Sequence, residues 1–213
     1  MVFVRRLETP SDEEIGQCAL LMRNAFRSVT YDTFGDSLVG GDKSLDILLH
    51  QAALGAAVAE GELWVAGPAE QEIGAVAIWF PPQTDYLITE KQRAAGWYEL
   101  EAKFSPELKS WYSEYFVPRM AAWSTECLGK DTQLNSWRLF ILATSPNHQK
   151  KGLAGALIEA VEAKAKAEGT PMCLETSNAP NVAFYINRGF RVRGTINLTG
   201  AGGDHVLTCF SKP

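Results

Sequence analysis

The chain has 213 residues, of which 46% are hydrophobic, 21% charged and 10% aromatic, with a formal net charge of -5. That length supports a sizeable core without disulfides or a metal, and the acidic balance (pI near 5.3) excludes a general nucleic-acid binder, which needs a basic face. Cysteines at 18, 127, 173 and 209 form no CxxC pair and no Cys/His cluster, which argues against zinc or a disulfide framework and for a reducing compartment. Apolar runs fall short of the ~18 residues of a membrane span. The start, Met1 to Glu8, lacks a signal-peptide core, so a cytoplasmic location without membrane contact is expected.

In chain order, residues 2–7 read as a short strand. Ser11 precedes Glu14 by three residues, the capping-box spacing of a helix start. Ile15, Cys18, Ala19, Met22, Ala25 and Phe26 then form one apolar helical face. Residues 30–42 are polar and glycine-containing and predict a loop. Leu45 to Ala57 repeats the helical pattern with His50 off its apolar face, and Gly61 closes it. Residues 62–66 and 73–80 predict a hairpin, ended by Pro81 and Pro82.

From about 84 to 130 an aromatic-rich segment follows, helical by pattern and broken or kinked at Pro118. Tyr86, Trp97, Tyr98, Trp111, Tyr112, Tyr115 and Trp123 either line a pocket for an organic ligand or pack this segment onto the rest. Residues 137–144 predict a strand, 153–167 a helix, 172–176 a strand, 181–187 a short helix, and 190–198 with 205–211 two last strands. The expectation is a single domain over 1–213, with an insert at about 84–130 and a cofactor-binding core at about 137–195.

Chemistry concentrates between Leu139 and Phe190. A strand enters Ser145-Pro146-Asn147-His148, then Gln149-Lys150-Lys151-Gly152-Leu153-Ala154-Gly155, then a helix. A glycine-bearing turn at a helix start leaves several N–H groups aimed at one spot, which favours a phosphate or pyrophosphate. The turn lacks the Gly-Lys-Ser/Thr ending of a P-loop and the Gly-x-Gly-x-x-Gly of a dinucleotide fold. Gln149-x-x-Gly152-x-Ala154 resembles the signature of the GNAT superfamily of acyl-CoA-dependent N-acetyltransferases. Asn178 to Phe190, with Tyr185-x-x-x-Gly189-Phe190, resembles that family's following helix. The run Leu174 to Asn178 with Asn181 is also similar to the branch containing puromycin acetyltransferase.

The resemblance implies an α/β (α+β) fold: a mixed, mostly antiparallel sheet flanked by helices, whose two central parallel strands splay to admit acetyl-CoA. It implies a pyrophosphate site on the backbone of Gln149, Lys150, Lys151, Gly152, Leu153, Ala154 and Gly155. The pantetheine arm would pair with Leu142 and Thr144, and the Leu142 N–H would act as oxyanion donor. Asn178, Asn181 and Phe184 would complete the cofactor contacts. Tyr185 matches the family tyrosine that protonates the leaving thiolate; its rival reading is a core aromatic beside Phe184.

For the base, Glu175 corresponds to a position used by some relatives, and a half-buried carboxylate there would have a raised pKa. Its rival reading is an edge-of-cleft carboxylate that only orders water or orients substrate, and Asp85, Glu99 and Glu101 are further candidates. No metal is expected, nor a nucleophilic role for Cys173. The implied function is acetyl transfer from acetyl-CoA to a primary amine of a small molecule, by direct attack in a ternary complex, in a monomer or homodimer. The alternatives are a protein or peptide N-acetyltransferase and a non-catalytic CoA-binding sensor.

Overall fold

In the computed structural model, which describes residues 1–28 and 33–213, the elements follow largely from the patterns above. They are β1 (Phe3–Arg6), α1 (Asp12–Arg27), α2 (Phe34–Leu38), α3 (Asp46–Glu60), β2 (Glu62–Gly67) and β3 (Ala75–Phe80). The segment between sheet strands holds α4 (Glu90–Gln92), α5 (Tyr98–Glu101), α6 (Pro106–Ser110) and α7 (Val117–Leu128). Then come β4 (Trp137–Thr144), α8 (Leu153–Glu168), β5 (Met172–Thr176), α9 (Ala179–Ile186), β6 (Arg191–Gly200) and β7 (Gly203–Lys212).

Ser11 caps α1 as its spacing demands: the Ser11 hydroxyl accepts from the Glu14 N–H, while the Glu14 carboxylate accepts from the Ser11 N–H. That backbone hydrogen bond, with Arg5 beside it, holds the Glu14 carboxyl below its ordinary range. Residues 30–32 of the expected loop lie outside the described residues, and the remainder contains the short helix α2.

The seven described strands make one sheet in the order β1-β2-β3-β4-β5-β7-β6. Every neighbouring pair is antiparallel except β4 and β5. Each residue of β3 is buried, because helices cover both faces. Met22 of α1 and Leu54 of α3 pack with Ile78 and Phe80 on one face. Leu157 and Val161 of α8 pack with Trp79, Leu139 and Leu174 on the other.

Two local expectations change. His50 is buried rather than at the surface: it stacks on Phe26 at 5.6 Å between ring centroids, in the gap where α1 meets α3. Burial pushes its imidazole down to about 4. Pro118 does not break its helix. The chain stays helical through 106–128, and a wide turn at Trp111–Phe116 precedes the proline, with the Val117 N–H reaching back five residues to the Tyr112 carbonyl. Widening by one residue accommodates a ring that has no N–H to donate and crowds the preceding turn.

Most aromatics of this segment pack. Trp97, Phe104, Tyr112, Trp111 and Phe116 pack on one another in series, alternately edge-to-face and stacked. The Trp111 indole donates to the Thr199 carbonyl at 2.8 Å and the Tyr112 hydroxyl to the Leu38 carbonyl at 2.9 Å. Their polar ends therefore tie the segment to β6 and α2.

Candidate active site at the splayed strands

The opening in the sheet originates in one extra residue. Between Ile78↔Ile141 and Trp79↔Leu139 the β3·β4 register skips Phe140, a β-bulge. Phe140 and Ile141 consequently both turn to the α1/α3 face, while Leu139 and Leu142 face α8 and α9. A bulge bends its strand, and β4 leaves β5 at this point: the parallel pairing covers Trp137–Leu139 against Met172–Leu174 and then stops.

Beyond it, β4 carries an unpaired inner edge. Ser145 donates its N–H to the Gly74 carbonyl of the β3 side at 3.0 Å. Backbone groups alternate in direction along a strand, so those of Thr144 and Leu142 point away from β3, into the gap. These are the two residues whose backbone the family resemblance would pair with the pantetheine arm. Interior backbone groups need partners, and a ligand that pairs like a strand would supply them.

The turn after β4 forms a concave set of donors. Lys150 and Gly152 both have positive φ, 60° and 86°, and residues of alternating backbone hand make N–H nests that hold anions. The first intrahelical bond of α8 runs from the Ala156 N–H to the Gly152 carbonyl at 3.0 Å, so Leu153, Ala154 and Gly155 precede it and their N–H groups have no helical acceptor. A Cβ on Gly152 would meet nothing within 4 Å; the glycine is required by its φ and leaves the nest accessible. Gln149, Lys150 and Lys151 are exposed around it.

On the α8/α9 side, Tyr185 is 5% exposed and packs against Phe190 and Phe210. Leu142, Leu153 and Phe184 join the same cluster, so strand edge, turn and Tyr185 converge. Burial pushes the phenol up, which keeps it protonated at neutral pH. Asn178 caps α9 without a side-chain cap bond, and its Oδ1 is buried with no partner among the described residues. Asn181 is exposed on α9.

On the other face, Glu175 extends β5 one residue past the end of the parallel pairing, opposite Cys209 of β7. Arg138 of β4 donates to its Oε2 from Nη2 at 3.1 Å and from Nε at 3.3 Å. The same guanidinium donates from Nη1 to Asp85 Oδ1. Glu175 Oε1 is buried and unpaired among the described residues. Of the insert carboxylates named from sequence, Asp85 is thus brought to the gap. Glu99 and Glu101 lie on α5, exposed and half-buried respectively, with no bond to this cluster.

Arg138 escaped the sequence reading because its partners lie 53 and 37 residues away; a charged residue inside an otherwise apolar strand was the available signal. Arg188 was also missed. Its guanidinium lies 3.8 Å over the Phe184 ring, and its Nη2 comes within 2.4 Å of where a Cβ on Gly155 would stand. Cys173 is fully buried, and burial pushes its thiol up, against a nucleophilic role. Among the described residues no three His, Cys, Asp or Glu side chains gather as metal ligands, and no helix is long and apolar enough to cross a membrane.

Residues 120–192 match the acetyltransferase (GNAT) domain family, a span that starts in α7 and runs through the gap, the turn and α9. An uncharacterized N-acetyltransferase of Schizosaccharomyces pombe is 26% identical over 128 residues, 60% of this chain and 51% of that protein. The match therefore spans about half the length of the yeast relative. Among solved structures, mosquito arylalkylamine N-acetyltransferase like 5b superposes with a TM-score of 0.66 at 15% identity, covering 100% of this chain and 99% of that one. A histone acetyltransferase HPA2-related acetyltransferase of Corynebacterium glutamicum gives 0.63 at 18% identity, covering 100% and 96%. At such identities the structures establish a shared fold, a mixed sheet with helices on both faces.

Proposed function

Because the chain carries a GNAT acetyltransferase domain, we propose that it transfers an acetyl group from acetyl-CoA to the primary amine of a small molecule, by direct attack with both bound. The observation that carries this reading is the unpaired inner edge of β4 leading directly into a nest of free N–H groups. An extended ligand with a phosphorylated end fits both at once. That the mosquito neighbour is named for arylalkylamines agrees with a small amine acceptor.

Acetyl-CoA, when bound, supplies an acetyl group activated as a thioester. The backbone of residues 149–155 would hold its pyrophosphate, aided by the positive end of α8 and the charges of Lys150 and Lys151. Leu142 and Thr144 would pair with the pantetheine arm, and Asn178, Asn181 and Phe184 would flank it. The Leu142 N–H is then a fixed donor to the carbonyl oxygen, a contribution worth about 3 kcal/mol when such a donor is aimed at developing charge. Glu175, directly or through one water, takes the proton that the ammonium must lose before its nitrogen attacks. The new C–N bond forms as the C–S bond breaks; Tyr185 gives its proton to the sulfur, and the further proton that the nitrogen sheds on becoming an amide restores the phenol through solvent.

The test is the melting temperature with and without acetyl-CoA. A ligand at 100 times its Kd adds about 2.7 kcal/mol, a rise of roughly 5–10 °C for a chain of this size. No shift at saturating acetyl-CoA would remove the reading. In parallel, Tyr185→Phe should retain the shift while lowering kcat; an unchanged kcat would remove the acid role.

A further inference from the structure

The Asp85–Arg138–Glu175 cluster has a charge that its own members do not balance. Two carboxylates face one guanidinium, and the three side chains are only 15%, 13% and 10% exposed. A buried net charge is costly unless it meets a partner, and the missing partner is a cation.

The geometry also says where that cation would sit. Asp85 is occupied: Oδ1 accepts from Arg138 and from the Tyr86 N–H, and Oδ2 accepts from Gln133 Nε2. Gln133 is held in turn by Ser124. Both Arg138 donors to Glu175 go to Oε2, leaving Oε1 as the one unpaired buried oxygen of the cluster. It stands where β5 has just lost its β4 partner. The neighbouring surface is apolar: the Arg138 guanidinium lies 5.4 Å over the Phe140 ring, which stacks on Tyr86 at 4.2 Å.

Resting on the acetyl-transfer reading, we propose that Glu175 Oε1 is the ammonium site of the acceptor, that Arg138 and Asp85 are its positioning residues, and that the acceptor is a singly charged primary amine with an apolar body. One ammonium neutralises the cluster. A second charge on the acceptor would find the Asp85 carboxylate already engaged by Arg138, Gln133 and the Tyr86 N–H. Arg138 holds Glu175 by one oxygen, so the other is presented in a fixed direction. Asp85, anchored through Gln133 to α7, holds Arg138 from the opposite side.

The experiment follows CoA release by the full chain with acetyl-CoA and two probes, 2-phenylethylamine (one charge, an aromatic body) and agmatine (two charges). The expected result is a kcat/KM for 2-phenylethylamine about tenfold or more above that for agmatine. Equal or better use of agmatine, or turnover of neither while acetyl-CoA still raises the melting temperature, overturns the acceptor assignment alone. Absence of the acetyl-CoA shift instead removes the reading on which it rests. Arg138→Met should lower kcat/KM for the amine about tenfold, leave KM for acetyl-CoA unchanged, and cause no further loss in a Glu175→Gln background. Equal losses in both backgrounds would mark Arg138 as merely structural and overturn its positioning role. Should Arg138→Met fail to fold, Arg138→Lys, which keeps the charge but not the planar fork, serves in the same comparison with the same outcomes.

Discussion

His50 shows how a single residue acquires its properties from what lies across from it. Its helical spacing puts it off the apolar face, at the surface, yet Phe26 of α1 closes over it and burial brings its imidazole down to about 4 from an ordinary 6.5. The unfolded chain therefore binds a proton at His50 as pH falls below 6.5, while the folded chain does so only near 4. In that window the unfolded state holds more protons, so stability falls as pH falls, by at most about 3 kcal/mol; above 6.5 the residue makes no contribution. Thermal unfolding from pH 7 to 4 should show this slope, and His50→Phe should flatten it. An identical slope in the variant would place the acid sensitivity elsewhere. The glycines at 152 and 189 were legible in the sequence because the positive φ each adopts is a local demand of the turn it sits in. The Arg138 cluster was not, since it joins a loop and two strands that only the folded sheet makes neighbours.

Elements were readable where their signals are local. The capping box of α1, the prolines after β3 and the apolar periods of α3 and α8 each act within a few residues. Pro118 marked a disturbance, but not that the helix would widen and continue rather than break; the bulge at Phe140 was not readable, because it exists only in the register of β4 against β3. The insert is joined to the rest by backbone contact as well as by its rings. A Cβ on Gly55 of α3 would stand 1.8 Å from the Ala95 carbonyl oxygen in the kink between α4 and α5. Backbone cannot move aside as a side-chain end can. Gly55→Ala should thus cost about 2 kcal/mol or more through overpacking, although alanine ordinarily favours a helix interior by up to about 1 kcal/mol over glycine. Urea unfolding measures the sign directly, and a stabilised variant would contradict this close packing.

For the molecule as a whole, the two faces of the sheet divide the labour. The α8/α9 face carries the turn, the Leu142 side chain and Tyr185; the opposite face carries Arg138, Asp85 and Glu175, and the gap between β4 and β5 connects them. Hydrogen exchange with acetyl-CoA should slow the amides of Leu142 and Thr144, which face away from β3, and of Leu153 to Gly155, which precede the first intrahelical bond of α8. The first turn of α1, already capped by Ser11, should keep its rate. A uniform change across both regions would argue against a ligand seated in the gap. By itself the sequence determined the order of the strands and most helices along the chain and the donor-rich turn, since these rest on periodicity and motifs within a few residues; the mixed, mostly antiparallel sheet followed only from the family resemblance those motifs carry. Only the tertiary structure decided where the sheet opens, which insert carboxylate reaches the opening, and which oxygen of Glu175 stays free. Those depend on a one-residue register shift and on one guanidinium shared between distant segments, and neither registers in local spacing.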